Sequence, residues 1–430
     1  MKFQNLIYSK KSTKREKMSK ECGKRRVVIT GGGIVSALGN DWAQAEKSLR
    51  ACKNFTRFMP DWEKKWPLMN TRLCCPVDFS FDAGKYERRK IRGMGRIAQM
   101  ALVATDNALI DAGFPKESLS DGRTGIAYGS SMGSVDPLMD FYTMLVTFET
   151  SKIGATTYIR AMPQTAAANL EVYYGLKGRI YTTNTACTSG SQAIGYSYEA
   201  IKFGMQDVMI AGGAEEFCPI DTAAFDTLFS TSTKNDTPNL TPSPFDKNRD
   251  GLVVGEGAST LILEEFEHAK ARGAKIYAEI VGFGTTTDGT HITSPNQETI
   301  SRAIELSLLD AGIPQSEIGY VNAHGTGTTH GDICESQATF AVFNRDVPIS
   351  SVKSYIGHTL GACGALESFL TVNMMNAKWF HPNLNLTSVD EKCAPLGYIT
   401  GNGAEIDTEY VMNNNFAFGG VNTSLIFKRM

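Results

Sequence analysis

No stretch of about 18 consecutive apolar residues occurs in the chain, so no segment reads as a membrane-spanning helix. Net charge is nearly absent: 43 Lys and Arg stand against 45 Asp and Glu, a balance of −2. No positive excess is left to make a nucleic acid the dominant partner. The nine cysteines form no C-x-x-C pair, which argues against a zinc ribbon or a thioredoxin-type site. Scattered and odd in number, they suit a protein whose thiols stay reduced, and a cytoplasmic location is expected. Bulk disorder is excluded by a 42% hydrophobic and 20% charged composition, ample for a sizeable core. Residues 1–26 are basic, with Lys10-Lys11, Lys14-Arg15 and Arg25-Arg26, but lack the apolar centre of a secretory signal. The leader, residues 1–25, is expected to be a disordered tail, and Met18 offers an alternative start.

What is present is a rhythm of strands and helices. Arg26–Thr30 is a β-branched strand running into Gly31-Gly32-Gly33, and a polar helix is expected from Asp41 to Leu49. Ile97–Ala112 has helical spacing with Gly113 as its stop. Thr124–Tyr128, Val208–Ala211, Leu261–Leu263 and Ala278–Val281 read as strands, two of them ending at small residues. The pattern then restarts: helix Ile300–Ala311, strand Tyr320–Ala323, helix Glu335–Phe343, strand Pro348–Val352 and helix Gly361–Met375. Alternation of this kind predicts an α/β fold with buried, mostly parallel strands. A boundary at Gly273-Ala274 divides it into halves 26–273 and 274–430.

Four segments place reactive or very small residues after a predicted strand, where α/β folds build their sites. In Asn184-Thr185-Ala186-Cys187-Thr188-Ser189-Gly190, the cysteine stands at a turn into a helix. A helix start favours a thiolate and offers a backbone N–H as an oxyanion donor. Alone, a cysteine among small residues is more often a buried core thiol. Asn322-Ala323-His324-Gly325-Thr326-Gly327-Thr328 sets a histidine at a strand end, with room beside it for a ligand chain. Asp332 and Glu335 are expected to cap the next helix. Lys353-Ser354-Tyr355-Ile356-Gly357-His358 leads into Gly361-Ala362-Cys363-Gly364-Ala365, with Glu367 beyond. Lys353 and Glu367 read either as an internal ion pair or as groups that orient His358. Asn414-Asn415-Phe416-Ala417-Phe418-Gly419-Gly420 suits a hinge loop with a bulky gate, or a plain turn.

Together and in this order, the four motifs resemble the β-ketoacyl synthase branch of the thiolase superfamily, from about Arg25 to Lys428, and the elongating synthase II type in particular. Phe245–Gly251 and Asp288–Pro295 match as well. C-T-S-G-S-Q-A-I-G-Y, H-T-L-G-A-C-G-A-L-E-S and N-N-F-A-F-G-G look like the ketosynthase of aryl polyene biosynthesis. Ala417 stands where housekeeping synthases usually carry glycine. The resemblance implies two similar βαβαβαββ halves in a five-layer αβαβα sandwich. It implies that Cys187 holds an acyl group and that His324 and His358 stabilise charge during malonyl decarboxylation. Lys353 and Glu367 would support them. The N–H groups of Cys187 and Phe418 would form the oxyanion hole, and Phe418 with Phe416 the gate. Thr326, Thr328, Thr293 and Ser294 would line the path of a phosphopantetheine arm. No metal or other cofactor is implied, since that arm arrives on an acyl carrier protein. Arg89, Lys90 and Arg92, in a basic cluster with Arg88 and Arg96, are candidates for docking that carrier. The implied partner is a chain-length-factor homologue, or else an identical chain.

Three rivals are weaker. The glycines of Val27–Ser36 resemble a dinucleotide motif, but no acidic residue ends a second strand about 20 residues later. A non-enzymatic subunit of the same fold would lack the nucleophile, whereas Cys187, His324 and His358 are all present. A degradative thiolase suits the paired histidine motifs poorly. Housekeeping fatty acid elongation stays open as an alternative to aryl polyene synthesis.

Overall fold

A computed structural model describes residues 24–430. The leader up to residue 23, with Met18, lies outside the described residues. The N-terminal half contributes β1 (Val27–Val35), α1 (Arg96–Asp111), β2 (Thr124–Gly129), α2 (Asp136–Thr147), α3 (Thr165–Tyr174), β3 (Ile180–Thr183), α4 (Ser189–Lys202), β4 (Val208–Glu215) and β5 (Gly257–Glu265). The C-terminal half contributes β6 (Ala278–Thr287), α5 (Gln297–Ala311), β7 (Ile318–Asn322), α6 (Thr329–Phe343), β8 (Pro348–Ser350), α7 (Cys363–Ala377), β9 (Tyr410–Phe416) and β10 (Val421–Arg429).

The halves repeat one topology. Strand order is β3-β2-β4-β5-β1 in the first and β8-β7-β9-β10-β6 in the second. In each, the three strands at one end run parallel and the remaining pairings are antiparallel. The sheets join edge to edge where Val27–Ile29 pairs with Ala278–Ile280, and Gly397–Tyr398 adds a short outer strand. Hydrogen bonding therefore runs through 11 strands. Helices α4 and α7 pack against each other between the sheets, while α1 and α3 cover one outer face and α5 and α6 the other. This is the expected five-layer thiolase-like arrangement.

Covering both faces of a sheet demands apolar or very small residues on each, and β4 is buried along its whole length. The three glycines of β1 follow from the same demand. A Cβ on Gly31 would lie 2.4 Å from the Ala108 carbonyl, on Gly33 2.2 Å from that of Ala104, and on Gly32 2.6 Å from the Phe369 ring. They admit α1 and α7 close to the strand from opposite sides, which is the physical reason for the glycine motif. β1 consequently runs through them to Val35, rather than ending at Thr30.

One expectation is corrected. Asp332 and Glu335 do not cap a helix beginning at Glu335, because α6 begins at Thr329 and both carboxylates are buried within it. Asp332 accepts the N–H groups of Phe245 and Gly327. Glu335 accepts those of His324 and Gly325, each at 2.7 Å. The acids hold the histidine loop. All described cysteines are free, and no helix among the described residues is long and apolar enough to cross a membrane.

Candidate active site

Cys187 sits in a tight turn, Ala186–Thr188, between β3 and α4. Ala186 has φ of 51°, in the left-handed region that favours glycine, so backbone strain is held beside the candidate nucleophile. Side chains brace the turn: Ser189 Oγ accepts from the Thr185 N–H and donates to the Ala186 carbonyl. Small residues in α4 have a steric cause. A Cβ on Gly190 would lie 2.8 Å from Ala365 N, and one on Gly364 2.6 Å from Ser191 N. The helices thus cross at glycines, and the crossing brings the Cys187 turn of one half against the His358 loop of the other.

The His358 ring places Nε2 2.9 Å from Cys187 Sγ. Its Nδ1 accepts the backbone N–H of Leu360 at 3.2 Å. In a neutral ring the proton is therefore on Nε2, and His358 is a donor toward sulfur rather than a base that takes the thiol proton. The His324 and His358 ring centroids are 5.1 Å apart, edge to face. Burial, with the Lys353 ammonium second, holds both imidazoles well below their usual range, so both are neutral at neutral pH. Donor atoms of Cys187, His324 and His358 lie within 4.8 Å of one another, close enough for a metal ion. The Leu360 contact nevertheless fixes His358 as a proton donor at the atom that would have to ligate.

Burial pushes the Cys187 thiol up to about 11, opposed by Lys353 and by the backbone N–H groups of Phe418 and of Cys187 itself. Lys353 and Glu367 form a fully buried pair at 2.5 Å, and Asn415 Nδ2 donates to the other Glu367 oxygen at 2.6 Å. The pair is internal, as one of its two readings has it, and the Lys353 charge also reaches the cysteine and both histidines.

Cys187, His324 and His358 open into a cavity of about 520 Å³ that also meets Thr326, Thr328, Thr293, Ser294, Phe416 and Phe418. Thr326 and Thr328 share a hydrogen bond of 2.9 Å. Phe416 is buried near His324, whereas Phe418 leans on Phe225 with centroids 5.1 Å apart. Ala417 has no positive φ; the loop takes its left-handed turns at Gly419 and Gly420. Arg89, Lys90 and Arg92 lie on a separate short helix (Arg88–Ile91) and its end, away from the cavity lining. Lys90 donates to the Tyr173 carbonyl, and Arg96 forks onto buried Glu256. Sequence reasoning missed Phe225 and Glu215. Glu215 accepts from Ser131 N–H and Gly361 N–H, and burial pushes it up to about 8. The A-G-G-A-E ending of β4 was the available signal, since an acid closing a buried strand needs donors nearby.

Family models for the β-ketoacyl synthase N-terminal and C-terminal domains match residues 24–269 and 277–387. The chain is 37% identical to the 3-oxoacyl-[acyl-carrier-protein] synthase 2 of Vibrio cholerae, over 95% of this chain and 100% of that protein. A crystal structure of a β-ketoacyl synthase from Burkholderia phymatum is 56% identical, with a TM-score of 0.93 over 94% of this chain and 100% of that one. A ketosynthase in complex with its chain length factor from Xenorhabdus doucetiae is 27% identical, with a TM-score of 0.81 over 94% and 98%. With the fold, the shared topology of its halves and these matches in agreement, the chain belongs to the β-ketoacyl synthase family and is a condensing acyltransferase.

Proposed function

We propose that the enzyme joins an acyl group held on Cys187 to malonyl-[acyl carrier protein] by decarboxylative Claisen condensation, and that its natural acyl chain is an aryl polyene. The observation that carries the reaction is the pairing of Cys187 with two neutral histidines, one of them locked as a donor at 2.9 Å. The Cys187 sulfur attacks the acyl thioester carbonyl, the N–H groups of Cys187 and Phe418 hold the developing oxyanion, and the carrier thiol leaves with the proton. Malonyl carrier then brings its arm past Thr326, Thr328, Thr293 and Ser294. The malonyl C–C bond breaks, CO2 departs, and the electron pair becomes an enolate whose oxygen accepts from His324 and His358. That carbon attacks the Cys187 thioester, and the cysteine leaves as thiolate. The chemistry requires no metal or other cofactor.

The pathway reading rests on the motifs around Cys187, His358 and Phe416. A heterodimer with a chain-length-factor homologue is supported by the Xenorhabdus complex and by an unusual face of this chain. Helix α2 buries only Pro137 and exposes Met139, Tyr142, Leu145 and Val146, with Phe148 and Tyr158 beside them. Identity to synthase 2 of Vibrio cholerae favours a second reading, elongation of saturated fatty chains.

Intact-mass analysis of carrier proteins, with malonyl carrier and either saturated or aryl-polyenoyl primers, separates the two. Two-carbon extension of the aryl polyenoyl primer alone is the expected result; full-rate extension of saturated primers by this chain without a partner returns the reading to fatty acid elongation. The acyl mass should appear on the peptide containing Cys187, and labelling that persists in Cys187→Ala would overturn its assignment. Alanine at His324 or His358 should leave acylation largely intact and abolish CO2 release; the reverse pattern would refute the roles given to them.

A further inference from the structure

We infer that a second ligand site lies beside Asp111, a cleft that takes an organic ammonium ion on an apolar bed. The argument comes from the duplication inside the chain. Gly31 and Gly33 meet Ala108 and Ala104 of α1 as Gly282 and Gly284 meet Ser307 and Ala303 of α5, so Asp111 corresponds to Asp310. Helices α4 and α7 cross at Gly190 and Gly364. From that anchor, Gly195, Tyr198 and Lys202 correspond to Phe369, Val372 and Asn376. The register also pairs an exchanged contact: a Cβ on Gly195 would strike the Phe283 ring, and one on Gly32 the Phe369 ring.

In the C-terminal half the position is filled. Asp310 accepts the Phe283 N–H at 3.2 Å and the Tyr198 hydroxyl at 3.0 Å, and its other oxygen takes the Lys202 ammonium at 2.5 Å. In the N-terminal half the donors are divided: Asp111 Oδ2 accepts the Gly32 N–H at 2.9 Å, as Asp310 accepts that of Phe283, while Oδ1 accepts the Tyr277 hydroxyl at 2.6 Å and no ammonium. The two groups that completed the other site are cut back, Tyr198 to Val372 and Lys202 to Asn376. Asn376 turns its amide to the Tyr277 carbonyl. Among the described residues no cation pairs with Asp111; Lys275 lies over the Tyr277 ring, 4.0 Å from its centroid.

The truncation leaves a cleft of about 450 Å³ walled by Trp42, Ile110, Phe369 and Val372, sharing no residue with the catalytic cavity. Asp41 at its rim is committed to the start of the helix after it, accepting the Gln44 N–H. Asp111 has hydrogen-bond donors but no cationic partner among the described residues, and its internal counterpart Asp310, which takes the Lys202 ammonium, points to an ammonium group as its complement. The aromatic and aliphatic walls suit an alkyl body and, through the ring faces, the cation itself.

Ligand-observed NMR with n-hexylammonium, hexanol and hexanoate on the whole protein tests the site. Hexylammonium should bind at least about threefold more tightly than hexanol, the scale of a partly exposed charge pair. Asp111→Asn should remove that preference. Asn376→Lys, which supplies an internal ammonium where Lys202 stands in the other half, should abolish binding. Thermal melting of both surface variants establishes that they are folded. Equal binding of the alcohol, an advantage that survives Asp111→Asn, or undiminished binding to Asn376→Lys would each overturn the inference.

Discussion

At the scale of single residues, the site works by setting burial against a few fixed dipoles. Desolvation alone would leave Cys187 inert, and Lys353 is the largest influence in the other direction. Replacing Lys353 alone would strand Glu367 without its buried counter-ion, at a cost of about 3–5 kcal/mol. The double variant Lys353→Met, Glu367→Gln keeps an acceptor for Asn415 and removes both charges. Since Lys353 lowers the Cys187 pKa, its loss must raise it further above about 11. Iodoacetamide labelling of Cys187 at fixed alkaline pH should slow, and an unchanged rate would show that Lys353 does not act on the sulfur. The histidines carry the opposite sign: with both held well below the usual imidazole range, CO2 release should show no loss from their protonation between pH 7 and about 6. A further test concerns Glu335, whose two oxygens face two N–H donors. In Glu335→Gln the amide NH2 must oppose one of them, costing about 1–3 kcal/mol in chemical unfolding and displacing the His324 loop.

At the scale of elements, the sequence was legible wherever spacing alone determines the outcome. The strand and helix alternation, and the positions of Cys187 and His324 shortly after the ends of strands, follow from local patterns, whereas His358 follows a short helix, Lys353–Ile356, that the pattern did not show. What escaped depends on partners far along the chain. Asp332 and Glu335 fit a local capping pattern, yet their donors come from Phe245 and the turn after β7. Phe225 carries no motif, and its place opposite Phe418 arises only when the two halves close. What Ala417 does in place of the usual glycine also needed the backbone, which takes its positive φ at Gly419 and Gly420 instead. The loop after β9 is tied to its neighbour. Gly419 N–H donates to the Ile292 carbonyl, Asp288 N–H to that of Gly420, and Asp288 Oδ1 accepts from Asn422 Nδ2 at 2.7 Å. Asp288→Ala should therefore speed hydrogen exchange in 288–295 and 417–420 together. Faster exchange in only one segment would show that they move independently.

At the scale of the whole molecule, the exposed surface is least consistent with an isolated chain around α2. A soluble helix ordinarily turns its apolar side inward; α2 leaves Leu145 68% exposed, and Phe148 at its end is 89% exposed. Separately, β3 is the outermost strand of its sheet, paired with β2 on one side only, and Ile180 is 42% exposed. An unpaired, partly apolar edge and an exposed apolar helix are each a liability in a lone chain. A partner of the same fold that presented the same edge across a twofold or pseudo-twofold axis would cover both features. On that reading the chain alone should be poorly soluble or weakly active. Co-expression with a homologous subunit lacking the cysteine should give a stable 1:1 complex by size-exclusion chromatography with mass determination. Charge placed on the face provides the decisive comparison. Leu145→Glu with Val146→Glu touches no buried contact of α2, so the melting temperature of the separated chain should be unchanged while the complex dissociates. If the doubly charged variant still elutes as a 1:1 complex, α2 is not the contact surface. If the unmodified chain is a soluble homodimer that elongates saturated acyl groups at full rate, the specialised partner is not needed.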